Sequence, residues 1–314
     1  NIGATNVFGF TALPGGANDM GSYVDIGDEA FFWTSTEGSS DNAWYRKLSY
    51  NNSEVSRDYY EGDKQMGYSI RCVRDYDGPT WYVATTGSDD NDGSEGSPFV
   101  TIQHGIDVSS DEDTVLVDSG TFEETITIQG NVKLLSQNGP ENTIIQNSGG
   151  LYLHGNGAYI SGFTIKNCNS SGSSLSSRGG AVTFWYSNAT LENLIIEENS
   201  ALSNSGSALH IVHASPSINN CTIRYNYSSN EGGGVVIIKE YDSGDAVSHP
   251  VFNSCLIYDN YGERTINAPF ASDPGEMTFN NCSIYSNSGY AIYSMKYKVN
   301  IERTIIDDNI YLSG

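Results

Sequence analysis

The chain has 314 residues, enough for two domains, and its 38% hydrophobic content is enough to bury a core. Fifteen Lys+Arg against 38 Asp+Glu give a formal charge of -23, which repels phosphate backbones and anionic lipid and makes nucleic acid and membrane surfaces poor partners. No stretch approaches the ~20 apolar residues of a membrane span. Such acidity keeps a protein soluble, or recruits divalent cations. The sequence opens on Asn1-Ile2-Gly3, without an initiating Met or signal peptide, and is expected to be a piece of a processed or longer protein.

Residues 1–75 are aromatic and rich in Gly, Ser and Asn. Four ordered motifs stand out: Phe10-Thr-Ala-Leu-Pro-Gly-Gly16, Phe32-Trp-Thr-Ser-Thr-Glu37, Ala43-Trp-Tyr-Arg46 and Gly67-Tyr-Ser-Ile-Arg-Cys-Val-Arg74. Together they resemble the C-terminal half of the Fibrobacter succinogenes major paralogous domain. The resemblance implies a small α+β, C-type-lectin-like module of the kind found in large secreted proteins of Bacteroidetes, Fibrobacteres and related bacteria. Trp33, Trp44, Tyr45, Tyr59 and Tyr60 are its candidate ligand-binding residues, because amphipathic rings bind sugar or protein with little entropy loss. The alternative is that Trp33 and Trp44 belong to the core and only the Tyr-rich stretch from Tyr50 to Tyr60 is exposed.

Tyr76-Asp-Gly-Pro79 is turn-prone, and residues 76–80 are expected to be a linker. Beyond it come Trp81-Tyr-Val-Ala-Thr-Thr-Gly-Ser-Asp, then Ser97-Pro-Phe-Val-Thr-Ile102, and after them Asp113-Thr-Val-Leu-Val-Asp-Ser-Gly-Thr-Phe-Glu-Glu-Thr-Ile-Thr-Ile128. These runs resemble the opening of pectate-lyase-like β-helix proteins. The resemblance implies a first strand, a short helix over Thr101 to Ser109 capping the open end of the solenoid, and a first coil. Many members of that family are non-enzymatic surface proteins. Within the run, Asp89, Asp90 and Asp92 offer the hard oxygens that Ca2+ needs. An EF-hand-like loop also needs an acidic twelfth ligand, and counting from Ser88 that place is Phe99, which leaves an acidic turn before the cap as the other reading.

Six segments then align without gaps, beginning at Ile160, Leu191, Ile218, Phe252, Phe279 and Ile301. Their spacings are 31, 27, 34, 27 and 22 residues, so a constant core is joined by variable loops, as in a solenoid. The sixth position is always Ile: Ile165, Ile196, Ile223, Ile257, Ile284 and Ile306. First, fourth and sixth positions are apolar or small and the second is polar, which is the alternation of a strand with one side in a core. Five segments end in Asn, expected to form a stacked ladder at one corner and to take its left-handed backbone. Cys221, Cys255 and Cys282 share the fourth position and should stack inside as thiols, since side chains on neighbouring rungs point the same way. With Cys72 and Cys168 the cysteines are odd in number and show no metal-site spacing. The fold class expected is mainly β: a right-handed parallel β-helix over residues 81–314, with the small module in 1–75. Tyr311-Leu-Ser-Gly314 carries no polar cap, so further coils or another domain are expected after it.

Catalytic candidates are weak. Asp307-Asp308 has no basic or histidine partner on neighbouring coils and reads as a solvated corner. Arg178, Arg224, Lys239 and Lys296 do not reproduce the calcium-plus-arginine arrangement of pectate lyases. His210 and His213, three apart on a strand, should face opposite sides and read as surface or partly buried residues. The long loop from Glu240 to His249 is another place for chemistry. No catalytic set is assigned. The sequence reads as a non-catalytic secreted or cell-surface bacterial protein that binds a glycan or protein ligand in adhesion. Two alternatives stay open: an enzyme acting on acidic polysaccharide, and a structural part of an envelope or secretion complex.

Overall fold

The computed structural model describes residues 15–19, 21–49, 51, 55–58, 63–69, 79–147, 149–155, 157–170, 180–201, 205–229, 234–239, 247–269 and 275–313. The chain divides into two compact units, Asn1–Asp75 and Tyr76–Gly314.

In the first unit five strands form one mixed sheet in the order Ser22–Ile26, Gly15–Asp19, Glu29–Glu37, Ala43–Ser49, Val55–Asp58. Among its described residues every regular element is a strand. Alternation sends Phe31, Trp33 and Tyr45 to one face, where Ala17, Phe31, Tyr45 and Tyr68 close a small core with Trp33 and Met66 packed on it.

The second unit is a right-handed parallel β-helix. Sheet A has nine strands, from Thr80–Val83 to Lys298–Glu302; sheet B has eight, from Gly120–Phe122 to Ile305–Ile306; sheet C has eight, from Ile126–Gln129 to Asn309–Leu312. Thr80, placed in the linker by the sequence reading, already pairs with Thr114 in the first strand. Each coil passes A, B and C in turn and stacks in register on the next.

The sixth-position isoleucines form one column, Ile165 on Ile196, Ile223, Ile257, Ile284 and Ile306. The first position forms a second, Ile160, Leu191, Ile218, Phe252 and Phe279, in which the last two rings stack at 4.9 Å. Both columns are fully shut from water through Ile284 and Phe279. Cys221, Cys255 and Cys282 stack between them as free buried thiols, and the Cys255 backbone N–H meets the Cys282 sulfur at 3.5 Å. Burial pushes the Cys221 thiol up to about 12.

The bends have a rule of their own. The residue between sheets A and B is left-handed in every repeat: Gly162, Asn193, Asn220, Ser254, Asn281 and Arg303, with φ from +47° to +85°. Between sheets B and C the left-handed residue is Asn167, Glu198, Tyr225, Asp259 or Ser286, with φ from +51° to +56°. Each lies one residue before the ladder position, which corrects the expectation that the ladder asparagines themselves take that backbone. Freed from it, Asn199, Asn226, Asn260 and Asn287 turn inward and are buried. The Oδ1 of Asn226, Asn260 and Asn287 each accepts both the backbone N–H and the Nδ2 of the asparagine on the preceding coil at 2.9–3.2 Å. Cys168 N–H starts the column on Asn199, and Asp308, not Asn309, ends it by accepting from Asn287. Asn309 instead opens the last strand of sheet C, opposite Tyr290.

Helix Ile102–Asp107 buries Ile102, Gly105 and Ile106 against the interior of the first coil. A Cβ on Gly105 would lie 3.0 Å from Val115 and 3.1 Å from Val83, so the helix backbone sits directly on the strands.

Candidate functional site

The acidic loop serves the cap. Asp89 accepts the backbone N–H groups of Val100 and Thr101 and the Thr101 hydroxyl, at 2.8–3.1 Å. Against an opposing desolvation, those bonds hold its carboxyl below the usual range. Glu124 accepts the first two helix N–H groups, from Ile102 and Gln103, and burial raises its carboxyl. Asp92 is turned to Ser94, and Asp90 is exposed. The structure therefore spends Asp89 on the helix rather than gathering Asp89, Asp90 and Asp92. Among the described residues no three His, Cys, Asp or Glu converge as metal ligands.

The aromatic candidates of the first unit are split by the pleat. Tyr45 lies in the core and Trp33 packs on Tyr68 with ring centroids 4.5 Å apart. Trp44, the next residue along the strand, points to the other face, under the Arg57 guanidinium at 4.3 Å. Trp33, Trp44 and Tyr45 thus form no common platform. Tyr59 and Tyr60 lie outside the described residues, as do Arg178, Cys72 and most of the loop from Glu240. His210 and His213 are both buried, contrary to a surface placement, and His213 stacks on Tyr186 at 4.9 Å. Arg224 is paired with Glu197 at 2.7 Å and bonds the Tyr258 hydroxyl.

The outer face of sheet A presents an arrangement the sequence reading did not single out. The second position of the repeats runs Ser161, Glu192, Asn219, Asn253, Asn280, Glu302 in register. Asn280 donates to Asn253 and Asn253 to Asn219, at 2.9 and 2.8 Å, and all three amides are half-buried. Tyr159 donates to Glu192 at 2.9 Å beside them. At the last two coils this strip widens into an open groove of about 660 Å3 lined by Glu276, Thr278, Asn280, Lys298, Asn300 and Glu302, among others. Lys298 pairs with Glu276 at 3.5 Å, and Asn300 donates to Glu276 as well. The signal for the strip was in the sequence, as the polar second position of every repeat.

Fold and surface together define a β-helix protein whose outside carries side chains in columns. Its residues 1–74 match the family model of the Fibrobacter succinogenes major domain. No curated protein matches the chain. Among solved structures it is similar to a pectin methylesterase from Aspergillus niger, at 15% identity over 74% of this chain and 80% of that one, TM-score 0.47. It is similar also to the pectate lyase Pel9A, at 15% identity over 72% of this chain and 62% of that one, TM-score 0.49. A rhamnogalacturonan lyase follows at 15% identity, covering 72% of this chain and 73% of its own, TM-score 0.34. The fold assigned to this chain rests on its own strand registers.

Proposed function

We propose that this is a non-catalytic, exported bacterial protein that binds a glycan or protein ligand, with the β-helix as a rigid display scaffold. The observation that carries the reading is the in-register amide column Asn219, Asn253, Asn280 on the outer face of sheet A. Each amide offers both a donor and an acceptor, and successive coils repeat them about every 4.8 Å, so an extended ligand meets the same groups again and again. Because the coil backbones are already fixed, little ordering opposes binding. The resemblance of residues 1–74 to a module found in secreted bacterial proteins supports export and a surface location. Among the described residues no helix is long and apolar enough to cross a membrane. The test is binding of the whole chain to immobilised cell-wall polysaccharides and to intact bacterial cells. Replacing Asn219, Asn253 and Asn280 together by Ala should weaken binding at least tenfold while the fold persists. Unchanged binding would reject the reading.

A second reading, a lyase acting on acidic polysaccharide, is favoured by the groove itself, where Lys298 stands beside Glu276 with Glu302 in the same wall. Elimination needs a base close to a cation that neutralises the uronate. New ultraviolet absorbance from an unsaturated product on uronate polymers, lost in Lys298→Ala, would establish it.

A further inference from the structure

The corner between sheets B and C carries tyrosines on three successive coils. Tyr225 and Tyr227 straddle Asn226, Tyr258 and Tyr261 lie either side of Asn260, and Tyr285 precedes Asn287 and Ser288. Tyr227 and Tyr261 are paired through their backbones in parallel register, one coil apart. The two residues are 56% and 55% exposed, whereas their backbone is locked. Tyr227 N–H donates to Asn199 O at 2.8 Å, Tyr261 N–H to Asn226 O at 2.9 Å, and Ser228 N–H to Tyr261 O at 2.8 Å. The buried amide column passes directly beneath. Exposed aromatic rings on so fixed a backbone are preorganised for contact, since only two side-chain torsions remain to be ordered.

The two rings open on a shallow cavity of about 540 Å3, completed by Gly262, Glu263 and Ser288. Its floor is pinned by the Ser288 hydroxyl, which accepts the Gly262 N–H at 2.8 Å and donates to the Gly262 carbonyl at 2.9 Å. Aromatic walls with a carboxylate, a hydroxyl and peptide groups between them suit a sugar, whose C–H faces stack on rings while its hydroxyls donate to a carboxylate. The coil rise of about 4.8 Å is close to the length of one pyranose unit, so neighbouring rings meet neighbouring sugars. Charge then selects among glycans. Glu198 and Glu263 are exposed and Asp259 half-buried at this corner of a chain of net charge -23. Arg224, a cation on the adjoining face, is committed to Glu197 and Tyr258. A uronate polymer is repelled here and a neutral one is not.

We propose that the cavity between Tyr227 and Tyr261 is a binding site for an extended neutral glycan, stacked on both rings and hydrogen-bonded to Glu263 and Ser288. The proposal rests on the binding reading above but uses a different face of the rod, so the two are separable. The test is affinity electrophoresis of the whole chain through gels containing hydroxyethylcellulose, xylan, galactomannan or polygalacturonate. At least one neutral polymer should retard the protein, and the double variant Tyr227→Ala/Tyr261→Ala should lose at least tenfold in affinity for it. Tyr227→Phe/Tyr261→Phe, which preserves the stacking faces, should keep that affinity. Nitration of Tyr227 and Tyr261 in the unaltered protein, mapped by mass spectrometry, should slow when the polymer is bound, whatever the fate of the variants. Retardation by polygalacturonate alone, or by a neutral polymer without dependence on the two rings, overturns the proposal and leaves the sheet A reading standing. Failure of every polymer and of cell binding sinks both.

Discussion

The buried amide column makes a sharp prediction about stability. Asn226 is fully shut from water. Its Oδ1 accepts from Asn199 N–H at 3.1 Å and Asn199 Nδ2 at 2.9 Å, and its Nδ2 donates to the carbonyls of Ile196 and Arg224 and to Asn260 Oδ1, at 2.9–3.0 Å. Asn226→Ala deletes all of these. The buried N–H of Asn199 and carbonyl of Ile196 are then left without that partner, and an orphaned buried group costs about 1–3 kcal/mol. With the cavity added, the loss should be about 3–5 kcal/mol. A unit of this size shifts by roughly 2–4 °C per kcal/mol, so the melting midpoint should fall by at least about 6 °C. Asn253→Ala is the control: its amide bonds Asn219 and Asn280 on the outer face, half-exposed, where water replaces what is removed. That change should cost less than about 1 kcal/mol. Circular dichroism melts and urea titrations of the two variants read the difference. A drop for Asn226→Ala no larger than for Asn253→Ala would refute the idea that the inner amides hold the coils together.

Phe252→Ala removes a fully buried ring stacked on Phe279 and should cost about 3–5 kcal/mol, measured by the same urea titration. Cys168, Cys221, Cys255 and Cys282 should resist alkylation in the folded protein and react on unfolding, as peptide mass mapping would show. Burial keeps the Cys221 proton up to about 12 against an ordinary 9.0, so its contribution is full below pH 9 and is lost as pH rises from 9 towards 12; stability should decline there and decline less in Cys221→Ala. Asp89→Ala should cost about 1–2 kcal/mol by freeing the Val100 and Thr101 N–H groups. Because the Asp89 carboxyl is held below its usual range, its contribution is present above that range and is lost as pH falls from it through the lowered folded value, a dependence Asp89→Ala should lack.

Much of the rod was legible because a solenoid writes its packing into the sequence at fixed positions. The isoleucine column and the thiol stack needed only alternation and spacing, and both are found in register. The backbone of the bends was harder. Left-handed conformation falls on Glu198, Tyr225 and Arg303 as readily as on Asn193, so residue preference pointed to the conspicuous Asn one place too late. Asp308 takes the last rung since the final corner is one residue shorter, which a gapless alignment cannot show. In the first unit, Trp44 and Tyr45 were grouped by proximity in sequence, although neighbours on a strand face opposite ways. The tyrosine corner and the outer amide strip depend on which coils lie adjacent, and loops of unequal length hide that until the registers are known.

The paired left-handed bends have a genetic corollary. Removing residues 198–224 would join Glu197 to Tyr225 and lay Ile196 on Ile257, with each remaining bend and inward amide in place. Recombination between equivalent codons can thus lengthen or shorten the rod by whole turns, so its reach can evolve independently of the chemistry written along its sides.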